Sequence, residues 1–208
     1  MYRGSSGERI PCLCVTNRKL CQGDFYERIR QIVQNREADA ILLREKDLSQ
    51  SEYEKLAEQV LRICQETDVT YILHTFWESA LKLHCRNIHL PLDILETLPA
   101  REKIHFQRIG SSVHSVEQAK RAEESGAHYV IAGHVFETDC KRGMPGRGPE
   151  FIREVSESIH IPVYGIGGIC QENAEAVVRA GAAGVCVMSG FMAIRQQYHR
   201  VYFDTHNN

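Results

Sequence analysis

The chain has 208 residues and a formal net charge of −2, with acids and bases interspersed. That length suits one domain, or two small ones at most, and a chain of this size buries roughly 70% of its unfolded surface, so its core needs no metal or disulfide staple. No basic face or run stands out, which argues against nucleic acid and anionic membrane as partners, and the longest apolar runs fall far short of the roughly 20 residues of a membrane helix.

Residues 1–9 hold no apolar core of a signal segment and read as a frayed start. Eight cysteines occur without a C-x-x-C pair. Cys12 and Cys14 share one face of a strand, and Cys64, Cys85 and Cys186 fall inside apolar elements. They read as buried thiols of a reduced, cytoplasmic protein, not as zinc ligands or a disulfide framework.

In chain order the apolar runs predict strands over 12–16, 40–43, 71–74, 87–90, 107–110, 129–132, 163–166 and 185–188. Amphipathic stretches predict helices over 25–35, 51–66, 77–84, 93–98, 115–125, 149–158, 171–180 and 191–202. Ser115 suits an N-cap, and Gly126 and Gly181 suit helix stops. The strands are rich in Val, Ile and Leu with little alternation, as expected when both faces are buried. A Gly-Ala pair stands three residues before Val130 and again before Val185, so one cassette recurs two units apart. Eight strand–helix units in this length predict a single compact (β/α)₈ barrel spanning residues 1–208. An open doubly wound sheet is the rival, but nothing marks an edge strand. The fourth unit has the weakest signal.

In such a barrel the C-terminal strand ends converge on one site. Gly167, Gly168, Ser189 and Gly190 are small residues at the ends of strands 7 and 8. They let backbone N–H groups approach a phosphate, with helix N-termini behind them. The competing reading of Gly167-Gly168 is a tight turn. Arg44 and Lys46 follow strand 2, one residue apart, so an extended chain points them the same way. They suit a carboxylate or a second phosphate; otherwise they form a solvated turn with Arg44 paired to Glu45 or Asp47. His134 ends strand 6 ahead of a loop rich in acids and cations, Glu137 to Lys141, and is the candidate general acid/base. His74 and His114 are weaker rivals, and Ser111 at the end of strand 5 is a binding candidate. No P-loop, dinucleotide G-x-G-x-x-G or H-E-x-x-H motif occurs.

Between Ile109 and Met192 the chain resembles the thiamine phosphate synthase/TenI family. The resemblance is carried by Gly110-Ser111-Ser112-Val113-His114-Ser115, by the loop from Gly133 to Lys141, by Ile166-Gly167-Gly168-Ile169 and by Val187-Met188-Ser189-Gly190. Arg44-Glu45-Lys46 is placed as the family's strand 2 cations are. The resemblance implies a (β/α)₈ barrel acting in thiamine biosynthesis. Family synthases join a pyrimidine diphosphate to a thiazole phosphate, using Mg²⁺ held by acids after strands 3 and 4. Here strand 3 ends His74-Thr75-Phe76-Trp77-Glu78, and Glu78 and Asp93 are displaced from the expected places. Synthases usually have Gly-Pro where this chain has Gly133-His134. The loop is very similar to that of the TenI thiazole tautomerases. The expectation is therefore a cofactor-independent tautomerase, an isomerase with His134 moving the proton and no metal. Lys141 joins Arg44 and Lys46 as a candidate for the substrate carboxylate. The alternatives are a Mg²⁺-dependent synthase and a non-catalytic barrel that binds thiazole or thiamine phosphate. The expected partner is a small phosphate substrate, and a homo-oligomer is left open.

Overall fold

The computed structural model describes residues 1–138 and 143–193. Eight parallel strands close into a barrel: β1 (Cys12–Val15), β2 (Ala40–Leu43), β3 (Thr70–His74), β4 (Asn87–Pro91), β5 (Arg108–Val113), β6 (Tyr129–Gly133), β7 (Val163–Ile166) and β8 (Gly184–Val187). Each pairs with its sequence neighbours, and β8 closes on β1 through Leu13 opposite Cys186. The helices are α1 (Phe25–Gln34), α2 (Gln50–Gln65), α3 (Trp77–Lys82), α4 (Leu92–Thr97), α5 (Ala100–Lys103), α6 (Val116–Glu124), α7 (Gly148–Ser158), α8 (Ala174–Arg179) and α9 (Ser189–Met192). The expected barrel is the observed one.

Strand alternation divides the apolar residues into two cores. Leu13, Val15, Ala40, Leu42, Ile72, Tyr129, Ile131 and Cys186 pack inside the barrel. Their neighbours on the other face, such as Cys14, Ile41, Leu43, Leu73, Ile88 and Val130, pack outward with the helices. Both faces are buried, so the strands read as continuous apolar runs.

Helix starts follow local polar chemistry. Asp24 caps α1 by accepting from the Glu27 amide at 2.8 Å. Ser49 and Glu52 form a reciprocal capping box on α2. Ser115 caps α6 as the sequence suggests. The first residues, expected to fray, are tied down. Arg3 and Arg9 form an antiparallel bridge. The Ser5 hydroxyl donates to Glu175 on α8 at 2.7 Å, and Tyr2 packs on Phe191 of α9. The helix predicted over 191–202 lies mostly outside the described residues. No described helix is long and apolar enough to cross a membrane.

Candidate active site

The C-terminal strand ends enclose a cavity of about 590 Å³. The pleat selects its lining: every second residue past a strand's inner core position faces the mouth. Thus Leu42, Arg44 and Lys46 line it from β2, and Ser112 and His114 from β5. Ser111 is out of phase. Its hydroxyl is buried and donates to the Leu90 carbonyl at 3.0 Å, so it ties β5 to β4 and does not face the cavity. The expectation for Ser111 is therefore corrected, and Ser112 takes its place. The predicted strand stopped at 110, whereas β5 runs to Val113, which shifts the strand end by three residues.

His74 and His89 form one wall of the cavity. Their rings stack with centroids 5.8 Å apart. The Nε2 of His89 lies 2.8 Å from the Ser112 hydroxyl, and its Nδ1 lies 3.3 Å from the Tyr129 hydroxyl. The Nδ1 of His74 meets the Thr75 hydroxyl at 2.6 Å. Gly110 makes this cluster feasible, because a Cβ there would stand 2.1 Å from Cζ of Tyr129. Burial, followed by the charges of Arg44 and Lys46, pushes the His89 imidazole down to about 3. Burial and the neighbouring His89, Arg44 and Lys46 likewise push His74 well below the ordinary histidine value. Both rings are therefore neutral at physiological pH. His89 carries no signal in the sequence beyond its place inside β4.

Arg44 and Lys46 face the cavity together, as their spacing suggests. The neighbouring acids are engaged elsewhere. Glu45 is buried and accepts from the Thr16 hydroxyl and from Arg18, while Asp47 pairs with Arg18 and Lys19. Burial, then the charge of Arg44, lowers the Lys46 pKa, and Asp93 acts in the opposite sense.

Across the barrel, His134 is buried and lines the cavity, with Nε2 3.4 Å from the Met144 carbonyl. Gly167 packs against it: a Cβ there would meet the His134 Cβ at 2.5 Å. A Cβ on Gly168 would meet the Glu137 carbonyl at 2.3 Å. These glycines therefore let the β6 and β7 loops pack closely as well as opening backbone to the cavity. Asn173 braces their loop, donating to the Gly168 carbonyl and accepting from the Cys170 amide, both at 2.9 Å. The helix that follows starts at Ala174, later than predicted, so no helix terminus stands directly behind the glycines. Ser189 lines the cavity and Gly190 follows it in the first turn of α9. Gly167, Gly168, Ser189 and His134 are thus brought together. Lys141 lies outside the described residues.

Fold and site define a closed parallel barrel whose mouth carries cations and imidazoles on one side and a glycine turn on the other. The chain belongs to the thiamine monophosphate synthase family, whose model matches residues 12–191. It is 31% identical to the thiamine-phosphate synthase of Clostridium acetobutylicum over 91% of this chain and 92% of that one. It is 34% identical to the thiamine-phosphate synthase of Pyrococcus abyssi over 89% and 88% of the two chains. Among solved structures, a thiamine phosphate pyrophosphorylase from Pyrococcus furiosus superposes with a TM-score of 0.75 at 31% identity, covering 89% and 88% of the chains.

These relatives overturn the tautomerase expectation. They bear the name of the transferase, and their similarity runs the length of the barrel and not only through the β6 loop. An isomerase with His134 as its general acid/base is therefore replaced. The physical reason is that one barrel with one phosphate turn can host different chemistries, so the likeness of a single loop does not decide the reaction.

Magnesium, implied by the resemblance to synthases, needs hard oxygen ligands, and one or two carboxylates commonly hold it against a substrate phosphate. The β3 and β4 ends place His74, Thr75, His89 and Pro91 where carboxylates would serve. Asp93 and Glu96 line the cavity, but Glu96 accepts two 2.7 Å hydrogen bonds from Arg121. No group of three metal-ligating side chains stands together among the described residues. This donor set does not fit a magnesium site.

Proposed function

We propose that this chain is a thiamine phosphate synthase, a transferase that joins a pyrimidine methyl diphosphate to a thiazole phosphate. The observation that carries the reading is the near full-length similarity to proteins of that name. The geometry agrees with it. A coupling of two anionic substrates calls for two anion sites around an apolar floor, and the β2 cations and the β7–β8 turns stand at separate points of the same ring.

In this reading Gly167, Gly168, Ser189 and Gly190 receive the thiazole phosphate through backbone N–H groups. Arg44 and Lys46 receive the diphosphate. Leu42, Ile131 and Cys186 give the two aromatic rings an apolar bed. The C–O bond between the pyrimidine methylene and the diphosphate breaks, and its electron pair leaves with the diphosphate. The thiazole nitrogen lone pair forms the new C–N bond, so the ring becomes a thiazolium cation. Positive charge develops on the methylene as negative charge grows on the leaving oxygen. The cations at β2 stabilise that oxygen. Holding both reactants in one cavity supplies the remaining advantage by proximity. No proton moves in the coupling, so His134 serves here to position the thiazole beside the glycine turn.

The test is direct. Purified protein is incubated with both substrates, and thiamine phosphate is followed by chromatography and mass. Its formation, dependent on both substrates and on the protein, is expected. Its absence would remove the reading.

A further inference from the structure

The ends of β2, β3 and β4 make a positively charged surface where a synthase of this kind would place a metal. Arg44 and Lys46 face the cavity from β2, and opposite them stand His74 and His89. The three hydroxyls of Thr75, Ser112 and Tyr129 occupy imidazole nitrogens of this pair, which locks the rings in place. Asp93 is the one cavity-lining carboxylate on this side that accepts no side-chain hydrogen bond among the described residues, since Glu96 is held by Arg121. Among the described residues, a dication set here would face two cations and two imidazoles, with one carboxylate in its favour. Among the described residues, a diphosphate would face the same two cations.

We propose that coupling in this chain needs no divalent metal, because the His74–His89 wall and the β2 cations stand where carboxylate ligands would hold one. The inference rests on the synthase reading and deepens it. Guanidinium and ammonium groups are competent partners for phosphate oxygens. Arg offers paired donors in one plane, and Lys offers a compact point charge. Sites lined by one sign of charge with apolar walls also concentrate the opposite charge. Imidazole nitrogens are poor substitutes for the hard oxygen ligands that magnesium takes, and among the described residues of this wall the two cations are the dominant charges. Burial and mutual repulsion already lower the Lys46 pKa, so an arriving polyanion would be met by groups whose charge it relieves.

The experiment uses full-length protein stripped of metal by chelator. Thiamine phosphate formation is measured in EDTA and in millimolar Mg²⁺, and inorganic pyrophosphate binding is measured calorimetrically in the same buffers. The expected result is coupling in EDTA within about threefold of the rate in Mg²⁺. Pyrophosphate affinity should also change little with EDTA and weaken tenfold or more in Arg44→Gln and in Lys46→Gln. Coupling seen only with Mg²⁺ overturns the inference and leaves the synthase reading intact. Failure of pyrophosphate to bind in EDTA also overturns it. No coupling in either buffer, with pyrophosphate still bound in EDTA through Arg44 and Lys46, removes the synthase reading and retains the metal-free anion site. The wild-type arms decide the metal question even if a variant fails to fold.

Discussion

His134 separates two chemistries at the scale of one residue. A tautomerase needs it to carry a proton, and general acid–base catalysis typically contributes 10²–10⁴-fold. A coupling of thiazole nitrogen to the pyrimidine methylene moves no proton. His134→Asn, which retains a hydrogen-bonding side chain in the same buried place, is therefore expected to keep kcat for coupling within about tenfold, with a larger effect on the KM for thiazole phosphate. A loss of 10² or more in kcat at unchanged KM would assign the ring a proton after all. His89 supports a second prediction. It stays neutral in the fold down to about 3, against about 6.5 in an unfolded chain. The unfolded state thus binds a proton that the folded state does not. Stability is fully present above about pH 6.5 and falls as pH drops towards 3, by up to about 1.4 kcal/mol per pH unit from this ring. His74 adds in the same direction. Urea unfolding between pH 7 and pH 5 should show the slope, and His89→Phe should flatten it whatever it does to the absolute midpoint. An unchanged slope would contradict the burial-driven account. Ser111 shows how legible single residues were. Its motif was readable, but its face depended on where β5 ends, and a three-residue extension turned the hydroxyl away from the cavity.

At the scale of elements, alternation within each strand decides what reaches the site. Arg44 and Lys46 were legible as a pair because an i, i+2 spacing survives any small error in the strand boundary. The His74–His89–Tyr129 cluster was not, because it joins three strands through a glycine whose neighbour cannot be read from local pattern. Gly110 can be tested. An added Cβ would lie 2.1 Å from the Tyr129 ring, so the phenol must shift and His89 loses support. Gly110→Ala is expected to cost about 1–3 kcal/mol in unfolding free energy, as overpacking does. Combined with Tyr129→Leu the costs should be less than additive, since the second change removes the clash. Full additivity would mean that the contact is not what makes Gly110 necessary. The strands were otherwise readable because both faces are largely buried and apolar residues dominate: β2 and β7 match the predicted bounds. The short α5 after Pro99 was missed, since a four-residue helix has no periodicity to detect. Helix α8 begins late because Asn173 spends its side chain on the glycine turn.

At the scale of the molecule, closure of the barrel gives every strand a neighbour and gathers eight strand ends around one cavity. That much follows from counting units, and no open edge is left to explain. Which reaction the cavity performs does not follow from the barrel, because a phosphate turn and an apolar floor suit many substrates. The departures from the synthase pattern lie in a few side chains at the ends of β3, β4 and β6, while the similarity to a synthase extends across 91% of the chain. A likeness along the barrel and a few local departures are reconciled if the coupling is retained and the means of neutralising its leaving group has changed. The measurement that tests this most directly is the stoichiometry of turnover. With both substrates present, pyrophosphate released and thiamine phosphate formed should rise together, one to one, and neither should appear when either substrate is left out. Release of pyrophosphate without thiamine phosphate, or no release at all with and without Mg²⁺, would contradict the assignment.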